Sequence, residues 1–206
     1  MSFNINNFKS FGLQEGGARP SLFQVELRPP FSDPATSKFI FTCRATSVPA
    51  STIAPIEVPY FGRKIKLAGD RTFADWSVTI MNDEDFKVRD MFERWSALIN
   101  THETNIKISA LNSYKASDAV VTQFGKKGSG QILRQYQMIG LFPVEISAMD
   151  LDWDATNTIQ TFNVTFAYDY YIPYQGNQSV NPLGPTAGNG AGVGAGIAPA
   201  PDRQAQ

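Results

Sequence analysis

Between Pro59 and Asn100 the apolar residues change their spacing from two to about 3.6, and that change constrains the fold more than any other feature of the chain. Ile65 and Leu67 alternate with Lys64, Lys66 and Ala68, the pattern of a half-buried strand. Gly69 and Asp70 supply turn chemistry. A second run then places Trp76, Val78 and Ile80 on one face and Ser77, Thr79 and Met81 on the other. Asn82 or Asp83 can cap a helix, with Glu84 and Asp85 near its positive end. Val88, Met91, Phe92, Trp95, Leu98 and Ile99 follow as one apolar helical stripe. The expectation is strand, turn, strand and helix, with the helix laid by its Trp and Phe onto the sheet.

The remaining chain reads as strands and breaks. Residues 1–17 are Asn- and Gly-rich with scattered Phe3, Phe8, Phe11 and Leu13, either a flexible lead-in or an arm that docks on a neighbour. Leu22 to Arg28 and Lys38 to Ala45 read as two strands joined in an antiparallel hairpin by a Pro-rich loop, with Phe39, Phe41 and Cys43 sharing a face. Thr46 to Gly62 is punctuated by Pro49, Pro55 and Pro59, which disfavours a central strand. Its Ile53, Ile56, Val58, Tyr60 and Phe61 are too apolar for an ordinary solvated loop. The segment either folds back on its own core or projects as an arm onto another subunit. Asn100 to Lys115 is polar and reads as loop, while Ser117 to Phe124 and Ile132 to Phe142 are strands around GKKGSG. After a turn at Ala155 to Asn157, a last strand alternates Phe162, Val164, Phe166, Tyr168 and Tyr170 against Thr161, Asn163, Thr165, Ala167 and Asp169. From Pro173 the composition turns to Gly, Pro, Ala, Asn and Gln, too poor in apolar surface to offset its ordering entropy. The expected organisation is an arm (1–17), a β domain (18–172) and a flexible tail (173–206).

With 206 residues and a net charge of -1, the chain can bury a sizeable core and lacks a basic nucleic-acid footprint. Cys43 is the single cysteine, so no internal disulfide can form. The first residues lack the basic and apolar regions of a secretory signal, and no apolar run is long enough to span a bilayer. The candidate chemistry is thin. GKKGSG lacks the Gly-Lys-Ser/Thr that opens a phosphate-loop helix. Asp150, Asp152 and Asp154 match the start of a calcium loop, but Ala155 and Thr161 stand where Gly and Glu are needed; a strand with Leu151 and Trp153 on its other side is the alternative. His102 is the single histidine, in a polar loop, and Cys43 resembles a small core hydrophobe. Lys64, Lys66 and Arg71 lie near Asp70 and Asp75 in sequence, and Lys87 and Arg94 near Asp90 and Glu93, a mixed charged surface. No catalytic, cofactor or metal site is expected.

Three blocks carry a family resemblance: GRKIKLAGDRTFADWSVTIMNDEDFKVRDMFERW in the centre, ARPSLFQVEL at Ala18 to Leu27, and LDWDATNTIQTFNVTFAYDYY at Leu151 to Tyr171. In order and nearly without gaps, they resemble the tail tube proteins of T-even-type contractile bacteriophages. The resemblance implies a mainly β fold, an antiparallel sandwich or half-barrel with one flanking helix and a protruding loop, closing six-fold into a continuous β-barrel. It further implies stacked hexameric rings inside a contractile sheath, forming the conduit for genome DNA. The implied partners are the chain itself, sheath, baseplate and tail-terminator proteins, and DNA that passes without specific binding. The implied place is the virion tail, assembled in the bacterial host cytoplasm, with no enzymatic role. The same resemblance makes Ile53, Ile56, Val58, Tyr60 and Phe61 an inter-ring arm. A lumen for DNA should be polar and not strongly basic, which points to Thr161, Asn163, Thr165 and Asp169, or the matching face of a neighbouring strand. A tube of a cellular contractile injection system, or a tube-related baseplate or terminator protein, would share these features.

Overall fold

The computed structural model describes residues 5, 17–108, 110–116, 118–126, 130–175 and 178–179. The expected arm of residues 1–17 and most of the expected tail of 173–206 lie outside them. Among the described residues eleven strands form two sheets and a ribbon, every pairing antiparallel. The five-stranded sheet runs β1 (Phe23–Arg28), β6 (Asp118–Phe124), β7 (Ile132–Ile139), β10 (Tyr170–Gln175) and β11 (Gln178–Ser179). The four-stranded sheet runs β2 (Cys43–Thr46), β5 (Trp76–Met81), β9 (Thr161–Ala167) and β8 (Phe142–Ile146). The ribbon is β3 (Ser51–Tyr60) with β4 (Arg63–Phe73). Helix α1 is Ala35–Thr42, α2 is Lys87–Ile99, and α3 is one turn at Leu111–Tyr114 inside the segment expected to be loop.

One core joins both sheets and both longer helices. From β5 and β9 come Trp76, Val78, Ile80, Phe162, Val164 and Phe166, the alternation expected of each strand. Helix α2 lays Val88, Met91, Phe92 and Trp95 on them, with Phe166 ringed by Trp76, Phe92 and Trp95 at 5.2–6.2 Å. The Trp95 indole N–H donates to the Tyr114 carbonyl at 2.7 Å, so the polar end of this buried ring is satisfied. Leu98, expected in the stripe, is exposed.

Several expectations are corrected. The helix does not begin at Asn82 or Asp83. Phe86 holds the N-cap position with φ 51°, and Asp83 and Asp85 instead accept from backbone N–H groups in the entry turn. Lys38 to Thr42 is helical, and the strand begins only at Cys43. Phe39 is buried against Phe92 while Phe41 is 82% exposed, so their shared face does not exist. The alternation of Phe39, Phe41 and Cys43 misled because Ala35 and Phe39, one helical turn apart, are the pair that reaches the core. A second helix therefore flanks the sheets, and β1 pairs with β6 instead of with its sequence neighbour.

Gly69 and Asp70 make no turn, since β4 runs through them. The ribbon reverses instead at Phe61 and Gly62, whose φ values of 43° and 81° suit a two-residue hairpin loop. Gly69 sits opposite the register shift between Ile53 and Pro55, where a Cβ would lie 2.5 Å from the Ala54 carbonyl oxygen. Ile65 and Leu67 are exposed, because their strand pairs in the ribbon and not on the core.

Two long strand readings also divide. Ile132 to Phe142 breaks at Gly140, with φ 69°, into β7 and β8. The last strand breaks at Tyr168 and Asp169, so one stretch of chain crosses from the four-stranded sheet (β9) to the five-stranded sheet (β10). Leu151 and Trp153 stand on a loop, not a strand, and both are almost wholly exposed.

Candidate assembly surfaces

The ribbon makes the most conspicuous surface, because every residue of β3 and most of β4 are exposed. Its register puts Ile56 opposite Leu67, Val58 opposite Ile65 and Tyr60 opposite Arg63, so those apolar side chains share one face. Glu57 opposite Lys66 and Pro59 opposite Lys64 share the other, where Lys64 bonds Glu57 at 2.7 Å. Phe61 at the tip is 91% exposed and stacks edge-on with Tyr60. The structure thus brings together four of the five expected arm residues, Ile56, Val58 and Tyr60 on one face and Phe61 at the tip, while Ile53 stands apart beyond the bulge, opposite Arg71. At the root the Ala74 N–H donates to the Ala50 carbonyl at 3.0 Å, and Phe73 packs on Tyr168 and Tyr171 at the sheet crossing. Burial pushes the Tyr168 hydroxyl up to about 12, with Tyr171 and Asp75 adding to the shift.

Each sheet turns a polar face outward. On the five-stranded sheet this face carries Gln24, Glu26, Arg28, Asp118, Val120, Thr122, Gln135 and Gln137, with Asp118 and Thr122 buried; all of these but Gln24 and Thr122 line, with Tyr174, a cavity of about 390 Å³. Gln135 donates to the Thr122 hydroxyl at 3.1 Å, and Gln137 to Asp118 Oδ2 at 2.8 Å; Arg28 lies 3.5 Å from that same oxygen. On the four-stranded sheet, Thr161, Asn163 and Thr165 lie opposite the Phe162 and Phe166 side that α2 covers. The Thr79 hydroxyl donates to Asn163 Oδ1 at 2.8 Å. Asp169 is not with them. It sits at the crossing, paired with Lys115 at 2.8 Å.

The third surface is the segment 150–160, which leads into β9. Asp154 N–H donates to Asp152 Oδ1 at 3.0 Å and Asn157 has φ 60°, so the loop is turned and Trp153 points to solvent. Trp153 and Phe41 were legible only as apolar residues on strands. Phe41 is exposed on the side of α1 away from Ala35 and Phe39, and Trp153 on a turn.

The chemical candidates stay apart. His102 lies in an exposed turn. Burial pushes the Cys43 thiol up to about 12, which suits an inert, half-buried side chain. Among the described residues no group of three or more His, Cys, Asp and Glu is placed to hold a metal, and no helix is long and apolar enough to cross a membrane. The GKKGSG segment joins β6 to β7, its central residues lying outside those described. The charge pairs also differ from those the sequence suggested: Lys87 meets Asp85, Arg94 meets Asp33 and Arg89 meets Glu93.

A β-rich body with an exposed amphipathic ribbon and polar sheet faces fits the class of assembly subunits. The comparisons make this specific. A sequence model of the family described as phage tail tube protein matches residues 18–174. The tail tube proteins gp19 of Enterobacteria phages T4 and T6 are each 40% identical over 154 residues, 75% of this chain and 90% of theirs. The tail tube protein of Serratia phage KSP90 is 24% identical over 168 residues, 80% of this chain and 93% of its own. Among solved structures, a chain of the anti-feeding prophage baseplate matches with TM-score 0.59 at 14% identity, covering 79% of this chain and 99% of that one. A chain of the sheath-tube complex of the PVC extracellular contractile injection system matches with TM-score 0.57 at 14% identity, over 84% and 99%. These two establish a shared fold. The chain belongs to the phage tail tube protein family, whose members are structural components of the virion tail.

Proposed function

We propose that this chain closes six to a ring, and that the rings stack within a contractile sheath as the conduit for genome DNA. It works as a structural part and not as a catalyst. The observation that carries this reading is the ribbon, whose apolar face a single chain leaves in water. A heterologous contact repeated by translation builds a filament, which gives that face a partner in every copy. Ring closure has a physical motive too: among the described residues β1 at one margin of the five-stranded sheet and β10 with the short β11 at the other have no further strand beside them, and a closed barrel removes such edges. Sheath, baseplate and terminator proteins are the expected outer and end partners. The proposed divisions are an arm at 1–17, a body of 18–172 and a tail from 173, the first residues of the tail completing β10 and forming β11 of the body's sheet.

Of the two polar faces, that of the five-stranded sheet is the better lumen wall. Among the described residues its exposed cation is Arg28, which faces the carboxylate of Asp118 that Gln137 also meets, with Glu26 on the same face, so DNA would find little to grip. The segment that leads into β9 exposes Leu151, Trp153 and Ile159, and large apolar side chains suit a covered interface better than a wet channel. Electron microscopy of the purified protein tests the tube, with stacked hollow six-fold rings expected; compact monomers at every concentration would refute it. For the lumen, Gln137→Lys should slow DNA passage in assembled particles while Asn163→Lys does not, and the reverse result would return the lumen to β9.

A further inference from the structure

We propose that the segment 150–160 of one copy is the seat for the ribbon of the copy stacked on it, a reading that rests on the stacked-ring function above. The register of β5 against β9 sets the geometry. Trp76 pairs with Phe166 and Met81 with Thr161, so the two strands lie side by side over six residues, about 17 Å. The ribbon root at Phe73 and Ala74 enters β5 at the Trp76 end. The segment 150–160 enters β9 at the Thr161 end, fastened there by Asn82, whose N–H donates to the Gln160 carbonyl at 2.8 Å and whose amide donates to Gln160 Oε1 at 2.9 Å. The two surfaces therefore leave opposite ends of the same strand pair, as a head and its socket must in a stack related by translation.

Their chemistry is complementary. The ribbon has an excess of two positive charges, with Arg63, Lys64, Lys66 and Arg71 against Glu57 and Asp70; Arg63 stands on the apolar face opposite Tyr60, while Lys64 and Lys66 lie on the other face with Glu57. The segment carries Asp150, Asp152 and Asp154 and no basic residue, around exposed Leu151 and Trp153. Apolar groups of each would be buried on the other while the flanking charges fix the register. The acidic side chains have no cation of their own chain within ion-pair distance among the described residues, in contrast to Asp83 and Asp85 at the same end, which Lys38 already holds.

The test uses two chains, each with one introduced cysteine, Phe61→Cys or Trp153→Cys, in a Cys43→Ser background, polymerised together and oxidised. Phe61 and Trp153 are exposed, and because Cys43 packs on the core, tube formation by the Cys43→Ser chain alone is the control for folding. A disulfide-linked dimer containing one of each chain is expected, and tubes that form normally without that dimer overturn the seat. As a second arm, Arg63→Glu, on the apolar face beside Tyr60, should raise the assembly threshold about tenfold, and Asp152→Lys with Asp154→Lys in the same chain should restore it. No restoration refutes the pairing. An unsubstituted chain that forms no tube at all refutes the stacked-ring reading instead, and these results are distinct.

Discussion

Ile56 and Leu67 lie directly opposite each other on the apolar face of the ribbon and are 54% and 53% exposed, so replacing both with Thr probes assembly without touching the core. Threonine keeps the strand preference of the site while removing apolar surface. Full burial of an Ile or Leu side chain contributes about 1.5–3 kcal/mol, and half of that, about 1 kcal/mol, remains to be gained by each when a neighbour covers it. The pair should weaken each ribbon contact by about 2 kcal/mol, or roughly 30-fold in the concentration at which subunits add. If six contacts form together as a ring stacks, the deficit is about 12 kcal/mol and stacking should cease at any workable concentration. Sedimentation and electron microscopy across a concentration series read the threshold, and urea unfolding of the unassembled chain reads its stability. The expected result is a lost or strongly raised threshold with the unfolding free energy changed by less than about 0.5 kcal/mol. Tubes at the original threshold would refute the assignment of this face to assembly, and a large fall in monomer stability would refute its independence from the core.

Gly140→Ala should destabilise the chain by about 1–3 kcal/mol, because φ is 69° and the added Cβ would run into Asp169 Oδ2. Adding Asp169→Ala should recover the steric part, which chemical denaturation of the single and double variants measures. Acid should weaken the clamp on the α2 entry turn. Hydrogen bonding to Lys38 and then Lys87 lowers Asp85 from 3.8 to about 2, and Asp83 is lowered for the same leading reason. A carboxylate depressed by folding stabilises above its ordinary value and loses that contribution as pH falls, so the loss should run from about pH 4 to about pH 2. Lys38 is raised by the same bonds, so its share should fade only as pH climbs past 10.5. Lys38→Met should flatten the acid limb of a urea-midpoint profile, and an unchanged limb would show that other carboxylates govern it.

Where residue spacing was set by the core, it was readable. The alternations of β5 and β9 and the α2 stripe through Trp95 arise because one side of each element meets the same buried cluster, and a period of two or 3.6 records that directly. Helix α1 was misread because its short length leaves two buried positions, Ala35 and Phe39, too few to outweigh the accidental alternation that follows. A start signal was present: Asp33 Oδ1 accepts the Ala35 N–H at 2.8 Å, just beyond Pro34. The ribbon reversal was misplaced because Phe61-Gly62 is a weaker turn signal than Gly69-Asp70, and register within a two-stranded ribbon answers to its partner strand and not to a core. The arm residues were legible for a different reason, as apolar side chains in a proline-broken stretch with no interior to enter. The polar face of the five-stranded sheet was not, since it is assembled from β1, β6 and β7 across distant parts of the chain.

The aromatic contact at the base of the ribbon has a mechanical side. Phe73 bears on Tyr168 and Tyr171, and the backbone between those tyrosines is the one covalent stitch running directly from β9 into β10. A pull on the arm is therefore delivered to the seam of the body and shared between both sheets, instead of being spent in bending a slack hinge. A pipe made of such units would answer axial load as a stiff rod, which is what a part driven by a contracting jacket has to do.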